Sequence, residues 1–328
     1  MPITHADIVA ARERLAGRLR HTPLAPSLSL SARCGVPVHL KLEHHQVTGS
    51  FKVRGATNAV LALSDDQKAK GIVGVSTGNH GRGLAHAAKE AGVRCIICMS
   101  SLVPANKVEG IEALGAEVRI VGASQDEAQD EVDRLVADEG LTMLPPFDHP
   151  DIIAGQGTLG LEMLADLPDL DTVLVPLSGG GLIAGIALAV KTARPSARVV
   201  GVSMERGAAM VESLRAGKPV FVQELATLAD SLGGGIGLRN AHTFAMVRDL
   251  VDQTVTLTED EIAAGIRHAY WREIEIVEGS GAVGLGALLA DTVRPTGPTV
   301  VLLSGRNIDM TLHHRIVSGG RAHAYGDS

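Results

Sequence analysis

The stretch QVTGSFKVRG (46–55) sets Lys52 between Phe51 and Val53, directly after a Gly-Ser turn and at the start of a helical pattern. Two chemistries suit a lysine there. Its stem can lie along the core while the ammonium reaches water. Alternatively, burial keeps the amine reactive, ready to form a Schiff base with a carbonyl group. Three further stretches bear on the choice, each following a strand-like run: STGNHG (76–81), LSGGGLIAG (177–185) and LSGRN (303–307). In the second, Ser178, Gly179, Gly180 and Gly181 remove side chains so that backbone N–H groups can converge. The helix from about Leu182 then offers its positive end to an anion, as a phosphate cradle would. A plain strand–helix turn reads the same way. The stretch lacks the lysine of a P-loop and the spacing of a dinucleotide fingerprint, so neither ATP nor NAD is favoured. STGNHG opens a helix with Ser76, Thr77 and Asn79 as cap-type residues. It is either simple capping or a second anion site, sized for a carboxylate. His80, in the first helical turn, is either structural or a base.

These stretches can cooperate only if the strands before them end at one cleft. Short apolar runs recur at 38–44, 71–76, 93–99, 117–122, 171–178, 198–204 and 299–304, with helical patterns between them, including 79–92, 104–115 and 259–275. Strands alternating with helices predict parallel sheets wrapped by helices. The runs are apolar throughout, as expected when both faces of a sheet are covered. In such sheets ligands bind beyond the carboxyl ends of the strands, where all three stretches fall. Residues 71–149 read as a small inserted α/β domain ending at the proline-rich LPPFDHP. Residues 1–70 and 150–328 read as the large domain, and the tail SGGRAHAYGDS is expected to be loose.

Composition narrows the function. Aromatic residues make up only 2% of the 328, which argues against a base-stacking surface, and a net charge of −7 leaves no basic footprint for nucleic acid. The three cysteines imply no disulfide framework. Cys95 and Cys98 have CxxC spacing, but residues three apart on a strand face opposite ways, so a redox or metal role is not expected. The N-terminal 20 residues form a charged amphipathic pattern without a signal core, and no apolar run reaches membrane-spanning length. A soluble protein of the cytoplasm is expected, with no membrane partner.

A reactive lysine, a phosphate cradle and a carboxylate cradle are together what a pyridoxal phosphate enzyme acting on an amino acid needs. TGSFKVRGA (48–56) resembles the lysine motif of the fold-type II pyridoxal phosphate enzymes, in particular the serine/threonine dehydratase family. Similar motifs follow in order along residues 5 to 315: HTPL (21–24), STGNHG, GQGTLGLE (155–162), VPLSGGGL (175–182), EGSGA (278–282) and LSGRN. The resemblance favours the Schiff-base lysine. It implies an α/β, two-lobed, open twisted parallel-sheet fold of the tryptophan-synthase-β kind, with the cofactor in the cleft between lobes. It also implies that Lys52 holds the cofactor aldehyde and then acts as general acid/base. By the same resemblance Phe51 packs on the cofactor and Asn79 hydrogen-bonds its 3-oxygen. Residues 178–182 bind its phosphate, and Ser304 faces its ring nitrogen. The turn Ser76-Thr77-Gly78-Asn79-His80 receives the substrate carboxylate.

Departures from the family pattern concern the substrate. Ser178 stands where relatives commonly have another glycine. EHHQ (43–46) replaces ENLQ, bringing in His44 and His45. ADS (229–231) replaces ADG, making Ser231 a substrate-side residue, and Arg306 interrupts SGGN. Together they look most like the hydroxyectoine-utilisation dehydratases and suggest a substrate more polar than threonine. Thr77 replaces the serine that racemases of the family carry. Ser203 and Ala209 stand where metal-binding relatives have carboxylates, so no metal is expected there. The expected protein is a lyase removing water and then ammonia from a β-hydroxy amino acid or derivative, assembled as a homodimer or dimer of dimers. A plain threonine/serine ammonia-lyase, a racemase, a β-replacement synthase and a non-catalytic amino-acid-binding module are the alternatives.

Overall fold

The computed structural model describes residues 2–320 apart from 77, 102, 104 and 124; Thr77 and the tail from 321 onward lie outside the described residues. Among the described residues, ten strands form two sheets. In the larger, β1 (Leu24–Pro26), β2 (Val38–Lys41), β10 (Thr299–Leu302), β7 (Thr172–Pro176), β8 (Arg198–Met204) and β9 (Gln253–Leu257) lie side by side in that order. In the smaller the order is β5 (Glu117–Ile120), β4 (Cys95–Met99), β3 (Ile72–Val75) and β6 (Thr142–Met143). Every pairing is parallel except that of β1 with β2. An antiparallel edge strand on an otherwise parallel sheet is a common variant.

Strand alternation divides the core. Along β10, Val300 and Leu302 join one apolar cluster with the helices Pro150–Asp166 and Gly181–Ala193, whereas Val301 and Leu303 join another with the helices Glu259–His268 and Gly279–Leu289. Both faces are covered, which explains why these strands are apolar throughout. Cys95 and Cys98 obey the same rule. Cys95 faces one cluster and Cys98 another, and both thiols are free, buried and pushed up in pKa by desolvation, to about 12 and about 11. Neither is a reactive thiolate.

β1, β6 and β9 lie outside the runs expected from sequence. β1 and β6 are only three and two residues long, too short for a periodic signal. β9, QTVTL, is an edge strand carrying more polar than apolar residues. The helical pattern 259–275 also differs. The α-helix stops at His268, a π-helical turn spans Ala269–Glu273, and Ile274 adopts a left-handed conformation with φ 59°.

Candidate active site

The residues Thr48–Lys52 are zipped onto the chain leaving β10. The Phe51 N–H donates to the Ser304 carbonyl at 3.0 Å, the Arg306 N–H donates to the Gly49 carbonyl at 2.9 Å, and the Asn307 side chain donates to the Thr48 carbonyl at 3.0 Å. Gly49 carries φ +77°, and a Cβ there would meet the Asn307 side chain at 2.7 Å. The turn therefore needs glycine for both conformation and space. Lys52 then opens the helix Lys52–Ala62.

That helix is anchored from two sides. A Cβ on Gly155 would stand 2.7 Å from the Gly55 Cα, so the helix Pro150–Asp166 meets it almost backbone to backbone. Buried Arg54 bridges Glu43 and Glu162, each at 2.6 Å, and the two carboxylates hold its guanidinium firmly protonated despite desolvation. The Lys52 backbone is thus placed by packing, not by the turn alone.

The Lys52 side chain is half-buried. Its Nζ lies 5.3 Å from the centre of the Phe51 ring and donates to the Pro146 carbonyl at 2.8 Å. Desolvation lowers its pKa from 10.5 to about 8, opposed by the negative charge of Glu278. An amine in that range is about one-tenth unprotonated at neutral pH, far more than an ordinary lysine, which suits a nucleophile or base.

Two adjoining cavities meet at Lys52. The first is lined by Phe51, Asn79, Phe147, Ser178, Gly179, Gly180, Gly181, Leu182, Glu278, Ser280 and Ser304. Here the helix Gly181–Ala193 begins without any side-chain cap, so its N-terminal N–H groups remain available to an anion. Gly180 adopts φ +88°; a Cβ on Gly181 would meet the Phe147 carbonyl oxygen at 2.7 Å, and one on Gly179 would clash with the Phe147 ring. The Ser280 hydroxyl is buried there with no hydrogen-bond partner, a vacant polar contact facing the same cavity. An uncapped helix end, a desolvated amine, a flanking aromatic ring and an unsatisfied hydroxyl fit a flat, phosphorylated aldehyde such as pyridoxal phosphate.

The second cavity is lined by Lys52, Ser76, Gly78, Asn79 and His80 on one side and by Glu224, Asp230, Ser231, Gly233 and Gly234 on the other. The Ser76 hydroxyl accepts from the Gly81 N–H at 3.0 Å. His80 donates its Nε2–H to the Leu144 carbonyl at 2.9 Å; burial, aided by the neighbouring Lys52 charge, pushes its pKa down to about 3. It is a neutral, structurally engaged ring, not the imidazolium of an acid catalyst.

Glu278, Pro146 and Phe147 are site residues that sequence reasoning did not single out. Buried Glu278 accepts from the Asn79 amide at 2.7 Å and from the Asn307 N–H at 3.0 Å, and the Asn307 amide in turn donates to the Asn79 Oδ1 at 2.6 Å. This fixes the Asn79 carboxamide. EGSGA was visible as a motif, and Glu278 stands at the N-cap of the helix Gly279–Leu289, but nothing in its spacing pairs it with Asn79. Pro146 and Phe147 fall in LPPFDHP, whose prolines suggested only a boundary.

Three residues expected to tune the substrate lie elsewhere. Arg306 is exposed and lines neither cavity. His44 is buried, and His44 and His45 both turn their Nε2 atoms to Glu275 at 2.8 Å rather than to the cleft. None of these three side chains lines either cavity. Ser203 and Ala209 are buried and supply no carboxylate.

Comparison with known proteins agrees with this geometry. Residues 15–305 match the family model described as pyridoxal-phosphate dependent enzyme. The chain is 60% identical over 314 residues to a provisionally named threonine dehydratase of Sinorhizobium fredii, covering 95% of each protein. It is 39% identical over 314 residues to the catabolic L-threonine dehydratase of Escherichia coli, again covering 95% of each. Among solved structures it resembles maize serine racemase (TM-score 0.91, 33% identity, 97% of this chain and 98% of that one). The T.th. threonine deaminase is also similar (TM-score 0.84, 37% identity, 93% and 99%). The chain belongs to the pyridoxal-phosphate dependent enzymes, has the α/β architecture of their fold-type II class, and is a cofactor-dependent lyase of the dehydratase and ammonia-lyase kind.

Proposed function

We propose that the protein eliminates water from a β-hydroxy amino acid of the threonine or serine type and releases a keto acid and ammonia. The observation that carries the reading is the Lys52 amine, desolvated, lowered in pKa and shared by a phosphate-type cradle on one side and the Ser76–His80 turn on the other. Residues 178–182 would hold the cofactor phosphate, Phe51 would cover its ring, and Ser304 would face the ring nitrogen. When bound, the cofactor supplies the electron sink for a carbanion next to the amino group. A neutral hydroxyl at Ser304 tempers that sink, which suits a reaction whose leaving group soon takes up the electrons.

In this reading the substrate carboxylate binds the first N–H groups of the helix Asn79–Ala91, where Ser76 and Gly78 keep the approach narrow. Lys52 Nζ takes the α-proton and passes a proton on to the β-hydroxyl, which leaves as water as the Cβ–O bond breaks. The enamine that is released tautomerises to an imine, and water hydrolyses it to the keto acid and ammonia. Neutral His80 orients the turn through Leu144 and transfers no proton. Asn79, held by Glu278 and Asn307, keeps one amide hydrogen for the cofactor 3-oxygen.

Ser231, Glu224 and Asp230 make the far wall of the second cavity polar, and they favour a second, finer reading: a more polar hydroxylated substrate from hydroxyectoine utilisation. Work in the cytoplasm as a homodimer or dimer of dimers belongs to the same proposal; among the described residues, no helix is long and apolar enough to cross a membrane. The test compares keto-acid release from L-threonine, L-serine, 3-hydroxyaspartate and hydroxyectoine-derived compounds by kcat/KM. Threonine or serine as the best substrate supports the first reading, and a pathway compound as the best supports the second. Racemisation without keto acid would overturn both.

A further inference from the structure

Outside the cofactor cleft, His44, His45 and Glu275 aim three donor atoms at one point: their ligating atoms all lie within 4.8 Å of one another. We propose that these residues form a binding site for a divalent transition-metal ion of the Zn²⁺ class, which fastens the turn after β2 to the segment leading to Glu278.

The donor set selects the ion. Two imidazoles and one carboxylate suit Zn²⁺ and its first-row neighbours, whereas Mg²⁺ and Ca²⁺ prefer all-oxygen shells. Both Nε2 atoms stand 2.8 Å from the same oxygen, Glu275 Oε2, instead of dividing between the two carboxylate oxygens. That convergence leaves the two rings in contact, 4.2 Å between centroids and tilted by 57°. A modest opening of these contacts would admit an ion at about 2.0–2.2 Å from each donor. His44 is buried and His45 is 36% exposed, so a fourth position faces solvent for a water ligand.

The backbone is bent to present the carboxylate. The π-helical turn Ala269–Glu273 is followed by Ile274, a β-branched residue at φ 59°, and the Glu275 N–H folds back to the Ala269 carbonyl at 2.9 Å. Such strain persists where the surroundings over-determine it. The Arg20 guanidinium, which reaches this turn, is spent on the His45 carbonyl at 2.8 Å.

The experiment uses the full-length, cofactor-loaded protein, freed of metal by a chelator and of excess cofactor by dialysis, and titrated with Zn²⁺ and Co²⁺ by calorimetry. One equivalent should bind and raise Tm, and Co²⁺ should give visible ligand-field bands. His45→Ala and Glu275→Gln, each checked for folding by retained cofactor absorbance, should both weaken binding at least roughly tenfold and abolish the Tm gain. No stoichiometric binding by the parent, or binding that survives in either variant, would overturn the site.

Discussion

A Cβ built on Gly83 would stand 3.2 Å from both the Lys52 carbonyl carbon and the Val53 nitrogen, so the helix Asn79–Ala91 crosses the start of the Lys52 helix backbone to backbone. The turn read as the carboxylate site and the reactive amine are therefore held close, on one cavity, by a residue without a side chain. Gly83→Ala must push the two helices apart, because neither backbone can yield as a side chain would. We expect a loss of roughly 1–3 kcal/mol in urea unfolding, the usual cost of overpacking. Turnover should fall with it, by less than the roughly hundredfold that a displacement near 1 Å can cost, because a 3.2 Å contact requires a smaller shift. Unchanged stability and unchanged kcat would show that the crossing is looser than this.

The purified protein should be yellow, and borohydride should fix the cofactor covalently on Lys52. Peptide mapping locates the attachment. Lys52→Ala should abolish turnover because it removes both the attachment point and the base. Cofactor reduced onto any other lysine would sink the assignment.

Capture of the cofactor requires the uncharged Lys52 amine, and its pKa is lowered from 10.5 to about 8 by desolvation. The uncharged fraction therefore grows as pH rises. The rate of pyridoxal phosphate uptake by the apoenzyme should climb about tenfold per pH unit below that value and level off above it. Glu278 opposes the shift, so Glu278→Gln should move the midpoint to lower pH. A midpoint near that of ordinary lysine, or a move to higher pH in the variant, would contradict the desolvated amine.

Arg54 is buried between Glu43 and Glu162, at 2.6 Å from each. Arg54→Ala leaves the buried carboxylate of Glu43 without its cation, while half-buried Glu162 keeps Lys41 at 2.7 Å. Breaking such a cluster by removing one partner costs roughly 3–5 kcal/mol. Chemical denaturation should report a loss of that order, together with weaker cofactor retention because the Lys52 helix loses its anchor. A loss typical of an exposed pair would mean that water replaces the guanidinium.

Added Mg²⁺ or Ca²⁺ should leave turnover and Tm unchanged, because Ser203 and Ala209 supply no carboxylate to a hard cation. Activation by either ion would mean that carboxylates from elsewhere reach that strand end.

The chain order of residue types determined a great deal here. Apolar runs separated by helical patterns are local properties, and they were enough to read parallel sheets covered on both faces. Lys52 after a Gly-Ser turn, three consecutive glycines at a helix start, and the small polar residues of STGNHG are also local. Each states what its own backbone can do, and their ordered recurrence carried the family. Pairings distant in sequence are of another kind. Glu278 with Asn79 spans 199 positions and Arg54 with Glu162 spans 108, and no periodicity encodes such partners. The same limit holds for the direction of a side chain at a turn. His44, His45 and Arg306 border cleft-forming segments in sequence, yet none of them lines either cavity, and the two histidines meet Glu275 instead. The π-helical turn before Glu275 is equally invisible, because AYWRE reads as a continuing α-helix until tertiary packing stops it. Residue type set which chemistry was available; only the packing of distant backbones decided which groups meet.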